Sequence, residues 1–170
     1  MDITMSKRYF EVLEEFAAHV GVDSPKEFLE EQELMIEQTV VGFLWEGNDD
    51  NGDIIFFIRL GAPGAARLRE IAVELLEANY LAAGVGGSTI GVHHDSGEVV
   101  ISSSINAHGL SGEILAGVIG GFLDTAKRWE DLVKGQSGAS AKVEESQAAG
   151  AAGGSDTLTE LQRMGMGMRA

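Results

Sequence analysis

Residues 75–105 read LLEANYLAAGVGGSTIGVHHDSGEVVISSSI. The stretch offers three kinds of chemistry: a glycine cluster for phosphate, a His-His-Asp triplet for a metal, and a serine run for a nucleophile. The order of local structure decides among them. A helical apolar repeat closes at Leu75-Leu76-Glu77-Ala78-Asn79, and Gly84, Gly86 and Gly87 end it. Ser88 to His94 and Glu98 to Ile105 then flank Asp95-Ser96-Gly97 as a hairpin. A phosphate-binding glycine loop follows a strand and opens a helix, so that amides and helix dipole face the anion. Here the order is reversed, and no lysine follows. His93 and His94, as neighbours on a strand, point to opposite faces and share no ion without distortion. Gly86-Gly87-Ser88-Thr89-Ile90 approaches a nucleophile elbow, but its last glycine comes one place late and its element order is also inverted. Ser102, Ser103 and Ser104 read as strand filler. The stretch is a fold pattern, not a catalytic motif.

Working outward, the helix ahead of it begins near Ala65, after the break at Gly61-Ala62-Pro63-Gly64. Leu68, Ile71, Ala72, Leu75 and Asn79 form one stripe, Val73, Leu76 and Tyr80 a second, and Arg67, Glu70, Glu74 and Glu77 the wet side. Two stripes imply two packing partners, its own sheet and another subunit. Upstream lie two strand-like runs, ELMIEQTVVGFLWEG and DIIFFIRLG, joined by the turn Asn48-Asp49-Asp50-Asn51-Gly52. In the second run Ile54, Phe56 and Ile58 face one way, and Ile55 and Phe57 the other. An antiparallel strand with one wet face alternates apolar and polar, so each face of this one needs a cover. Residues 6–20 read as an amphipathic helix with Phe10, Leu13, Phe16, Ala17 and Val20 apolar and Gly21 at its C-terminal cap. Ser24-Pro25-Lys26-Glu27 has the form of a capping box opening a short helix to about Glu33.

Downstream, a helix from about Ser111 to Val133 carries Leu115, Val118, Phe122, Ala126 and Trp129. Its Gly117, Gly120 and Gly121 each cost up to about 1 kcal/mol relative to alanine, which predicts close approach of a neighbour. From Gly135 the text turns into an Ala/Gly/Ser-rich linker. TLTELQRM then repeats apolar residues (Leu158, Leu161, Met164) as a short helix over 157–164. The sequence therefore predicts a domain at 1–134 and a flexible tail at 135–170. The domain is α+β: an antiparallel sheet of about five strands packed with three main helices, in the order helix, strands, helix, hairpin, helix.

Composition narrows the function. Twelve basic residues stand against 27 acidic, a net charge of −15, of which −14 falls on residues 1–134. A field of that sign repels phosphate backbones and anionic lipid, so nucleic acid and membrane surfaces are disfavoured as partners and basic partners favoured. There is no cysteine, hence no disulfide, thiol catalysis or cysteine-held zinc. No run approaches the ~20 apolar residues of a membrane span, and no cofactor motif is found. The expected location is the cytoplasm. No nucleophile, base and orienter can be proposed as a set, so the expectation is a protein that is not an enzyme.

The helix closing in Leu75-Leu76-Glu77-Ala78-Asn79, the glycine bend, the strand Gly86 to Val92, the Asp95-Ser96-Gly97 turn, the returning strand and the helix with Phe122, Ala126 and Trp129 together resemble the class I type III secretion chaperones of bacteria (the CesT, or Tir-chaperone, family). The resemblance spans Ser6 to Val133. It implies a homodimer without catalytic activity, no cofactor and no metal. It also implies binding of the N-terminal segment of a secreted effector in extended form, partly as an added strand and partly in apolar grooves, with delivery to an export ATPase. On this resemblance the client groove draws on Phe10, Leu13, Phe16, Phe43, Trp45, Ile55 and Phe57, and the dimer interface on Leu75, Leu76, Tyr80 and Ile90. Each is otherwise an ordinary core residue, since large apolar side chains are buried by default. Two alternatives stay open: a YbjN-like regulatory protein of the same fold with no secreted client, and a small enzyme with an unrecognised site.

Overall fold

A computed structural model describes residues 6–48 and 51–135. Helix α1 (Lys7–Val20) starts where the Ser6 hydroxyl accepts the Arg8 amide at 3.1 Å, and it stops at left-handed Gly21. Helix α2 (Pro25–Glu31) has its proline at the first helical position, but Ser24 makes no side-chain cap bond, so the expected capping box does not form. The run ELMIEQTVVGFLWEG is two strands, not one. β1 (Glu33–Ile36) and β2 (Thr39–Gly47) are joined by a tight turn at Glu37-Gln38, with Glu37 in the left-handed region at φ 58°. The apolar pattern runs through that turn without a glycine or proline to mark it.

β3 (Gly52–Gly61) leads to α3 (Ala65–Asn79) and then a short 3-10 turn at Tyr80–Ala82. β4 (Thr89–Val92) and β5 (Val99–Asn106) form the second hairpin, and α4 (Gly112–Lys134) closes the described chain. His93 and His94 fall in the turn after β4 and not on the strand. The tail from residue 136, with the helix expected at 157–164, lies outside the described residues.

The five strands form one antiparallel sheet in the order β1-β2-β3-β5-β4. Register sorts its side chains. Val41 pairs with Ile58, Phe43 with Phe56 and Ile58 with Ile101, and all are buried. This inner face receives α1 and α4. Phe16, Phe28 and Phe43 meet with ring centroids 5.5–6.1 Å apart, and Phe56 meets Phe122 edge-on at 4.9 Å. Burial of each such side chain contributes about 1.5–3 kcal/mol, which makes this layer the main source of stability. The two helices cross at Gly112, where a Cβ would stand 2.3 Å from the backbone of Glu15 and Phe16. The Glu15 carboxylate accepts the Gly112 amide at 3.0 Å, and Arg8 donates to the carbonyls of Ala107 and Leu110. The N-terminal end of α4 is thus held by α1, a position only glycine can fill.

Three glycines of α4 behave otherwise. Nothing lies within 4 Å of where a Cβ would stand at Gly117, Gly120 or Gly121, so the expected close approach does not occur within the protomer.

Candidate interaction surfaces

On β1 to β3 the outer face of the sheet carries an apolar strip that no other described element covers, while β5 continues that face with Ser102 and Ser104. Pairing puts Met35 opposite Val40, Leu44 opposite Ile55 and Gly42 opposite Phe57 on that face. Met35 is 70% exposed and Leu44 50%, while Ile55 and Phe57 are half-buried. Phe57 lays its ring over Gly42 and carries the Arg59 guanidinium 5.3 Å from the ring centroid. Arg59 in turn pairs with Glu33 at 3.0 Å. The result is a shallow oily strip bounded on one side by an ion pair. A strip of this kind marks a binding surface more often than chance exposure does.

A second surface runs along α3. Its inward stripe, Ile71, Leu75 and Ala78, is buried, while Val73, Leu76 and Tyr80 stand 64–73% exposed. Leu81, at 83% exposure, continues the patch and is held out by a left-handed backbone (φ 52°); Ala82, also left-handed (φ 54°), turns back to pack against the core. For residues with a Cβ this conformation costs roughly 1–2 kcal/mol each. Such strain tends to persist where a function uses it. The bend that follows is fixed by Gly84, where a Cβ would sit 2.8 Å from the Ala78 Cα, and by the Trp129 indole N–H, which donates to the Gly84 carbonyl at 3.3 Å.

The residues singled out by sequence divide in two. Leu13, Phe16 and Phe43 are at most 1% exposed, and Leu75 and Ile90 5%: these five are buried in the core of the protomer. Their assignment to groove and dimer face comes from the family resemblance, which matches the apolar positions of each element but not what covers them. Phe10 and Trp45 are half-buried and meet at Tyr9, with ring centroids 5.3 and 5.8 Å from its own. The Tyr9 hydroxyl donates to Gln32 Oε1 at 3.1 Å, and burial pushes its pKa above the ordinary tyrosine range. Ile55, Phe57, Leu76 and Tyr80 remain at the surface. Among the described residues no group of three or more His, Asp or Glu is arranged to hold a metal ion, and no helix is long and apolar enough to cross a membrane.

The sequence model of the Tir chaperone protein (CesT) family matches residues 11–130. The chain belongs to the CesT family. Its fold is shared with a solved type III secretion chaperone and with chains of other solved complexes. A chain of the complex of Yersinia pestis chaperone SycH with a stable fragment of YscM2 is 23% identical, with TM-score 0.51, covering 71% of this chain and 98% of that one. A chain of the ExsC–ExsE complex gives 20% identity and TM-score 0.55 over 76% and 96%. One from the Pseudomonas aeruginosa ExoT–SpcS complex gives 17% and 0.52 over 73% and 98%. Among curated proteins no match is found.

For this CesT-family chain, Met35, Val40, Leu44 and Leu81 are surface residues that sequence reasoning did not single out, whereas Val73 belonged to the second stripe read on its helix. For Leu44 the signal was present: the turn at Asn48 to Gly52 sets a register that puts it opposite Ile55. Met35 and Val40 were hidden by the unmarked turn between β1 and β2. Leu81 carried no signal, because its exposure comes from a strained backbone and not from periodicity.

Proposed function

We propose that this protein is a homodimeric type III secretion chaperone that holds the N-terminal region of a secreted effector in extended form. The observation that carries the reading is the outer sheet face. Met35, Val40, Leu44, Ile55 and Phe57 form one apolar strip although the inner face already holds a complete core. Membership of the CesT family and the fold shared with chaperone–effector complexes support it. An extended segment gains main-chain hydrogen bonds at a sheet edge and selectivity from alternate side chains on the strip. β1 suits such an addition. In its pairing with β2, Gln32 opposite Phe43 is a bonded pair (Phe43 amide to Gln32 carbonyl, 2.8 Å), so by alternation Glu33 and Met35 turn their amides and carbonyls outward.

Leu76 and Tyr80, with Val73 and Leu81 beside them, supply the dimer face. Phe10 and Trp45 extend the client surface at the rim of the inner layer. The charge of −15 keeps this much apolar surface from indiscriminate association, favours a basic client, and suits a cytoplasmic carrier that hands its cargo to an export ATPase. Co-expression with the reading frames neighbouring this gene, followed by purification and native mass measurement, tests the reading. Two copies of this chain with one N-terminal effector fragment is the expected result, and a client-free monomer contradicts it.

A further inference from the structure

The two ends of the sheet are built differently. At the β4 end the Asn79 side chain lies along the strand edge. Its Oδ1 accepts the Ile90 amide and its Nδ2 donates to the Ile90 carbonyl, each at 2.8 Å. These are the two groups that an antiparallel neighbour would bond. The His93 amide donates to the Glu98 carbonyl at 2.8 Å, so alternation along the hairpin makes Gly91–Val100 and Thr89–Ser102 the bonded pairs. Ile90 and Val92 therefore turn their backbone groups away from β5, to the edge. Asn79 occupies the first of these two stations. Around it the surface is apolar: Leu76, Tyr80 and Leu81 are exposed on α3 and beyond it, and Val92 on β4. An open edge with oily surroundings is a site for edge-to-edge pairing between copies, and folds protect such edges.

We propose that Asn79 is a lock on the β4 edge. Its primary amide stands in for the first pair of hydrogen bonds of an incoming strand, which stops β4 of a second copy from pairing there. A second copy then meets α3 through side chains and not through a continuous sheet, and an extended client finds one open edge, β1. The inference rests on the strand-addition reading only in this last consequence, and its test needs no client.

Amide exchange on the full chain, resolved by residue, supplies an internal comparison, because Ile90 and Val92 share the same edge. In the wild type the Ile90 amide is protected and that of Val92 is not. Asn79→Ala speeds Ile90 exchange by roughly tenfold, the equivalent of one hydrogen bond. The variant also self-associates beyond the wild-type state, measured by sedimentation in about 0.15 M salt to screen the like charges. Val92→Pro, added to Asn79→Ala, removes an outward-facing amide without touching the β4–β5 ladder and returns the protein to the wild-type state. Asn79→Asp keeps the shape and the acceptor, removes the donor, and shifts both readouts the same way by less. Unchanged Ile90 exchange, no added association in Asn79→Ala, association that survives Val92→Pro, or loss of the fold in both Asn79 variants each overturns the proposal. A wild type that binds no client would remove the chaperone reading and leave these outcomes as they stand.

Discussion

Phe57 lies across Gly42, so close that a Cβ at residue 42 would stand 2.3 Å from the ring's Cζ. The glycine is the seat of the ring, and the ring is the seat of Arg59, whose guanidinium lies 5.3 Å from its centroid. Gly42→Ala therefore lifts Phe57 off the sheet. Alanine in place of a strand glycine gains about 0.5–1 kcal/mol, and the displaced ring costs a similar amount or somewhat more, so stability changes by only about 1 kcal/mol. Client affinity falls nonetheless, because the strip loses its shape. Urea denaturation and a binding titration separate the two effects.

Phe57 and Phe16 were equivalent candidates by sequence and are not equivalent in the fold. Phe57→Asp, on the outer face, lowers stability by about 1 kcal/mol, since only part of the ring is buried, and abolishes client capture. Phe16→Ala removes a ring with no exposure at all and costs about 3–5 kcal/mol. It weakens capture only through loss of folded protein. Denaturation midpoints together with client binding per folded molecule check both.

Leu76→Glu with Tyr80→Glu places charges on side chains that are 71% and 73% exposed in the protomer. Surface changes of this kind alter the stability of an isolated subunit by about 0.5 kcal/mol or less, so the expected product is a folded monomer. Sedimentation gives its mass and circular dichroism its fold. A dimeric variant would place the proposed interface elsewhere.

Met35→Pro tests β1 as the docking edge. The Met35 amide points away from β2, so proline there costs no bond of the sheet, as is usual for edge-strand prolines. It removes one donor from the edge and sets a ring against any strand that approaches. The fold is expected to survive and client binding to drop roughly tenfold for the lost hydrogen bond, more where the ring obstructs.

The order of elements and the α+β class were legible because helical and strand periods alternate cleanly from Phe10 to Trp129, and glycines at 21, 84, 86, 87 and 135 mark most breaks. The turn at Glu37-Gln38 was not legible, since neither residue announces a left-handed backbone. Surface and core were harder to tell apart. Leu75 and Leu76 are adjacent leucines of one helix, yet one is 5% exposed and the other 71%. Only the direction in which α3 meets the sheet separates them, and that depends on contacts far apart in sequence. Three helix glycines predicted a close neighbour that the protomer does not supply, because a glycine reveals permission to approach and not which surface approaches.

On the proposed function, the outer sheet face and the β1 edge hold an extended effector segment. Amide exchange of the purified complex against the free protein tests it directly. Slowed exchange at Glu33 and Met35, together with reduced solvent labelling of Met35, is the expected result. Unchanged exchange along β1, with protection confined to surfaces away from Met35, Leu44 and Phe57, would contradict it.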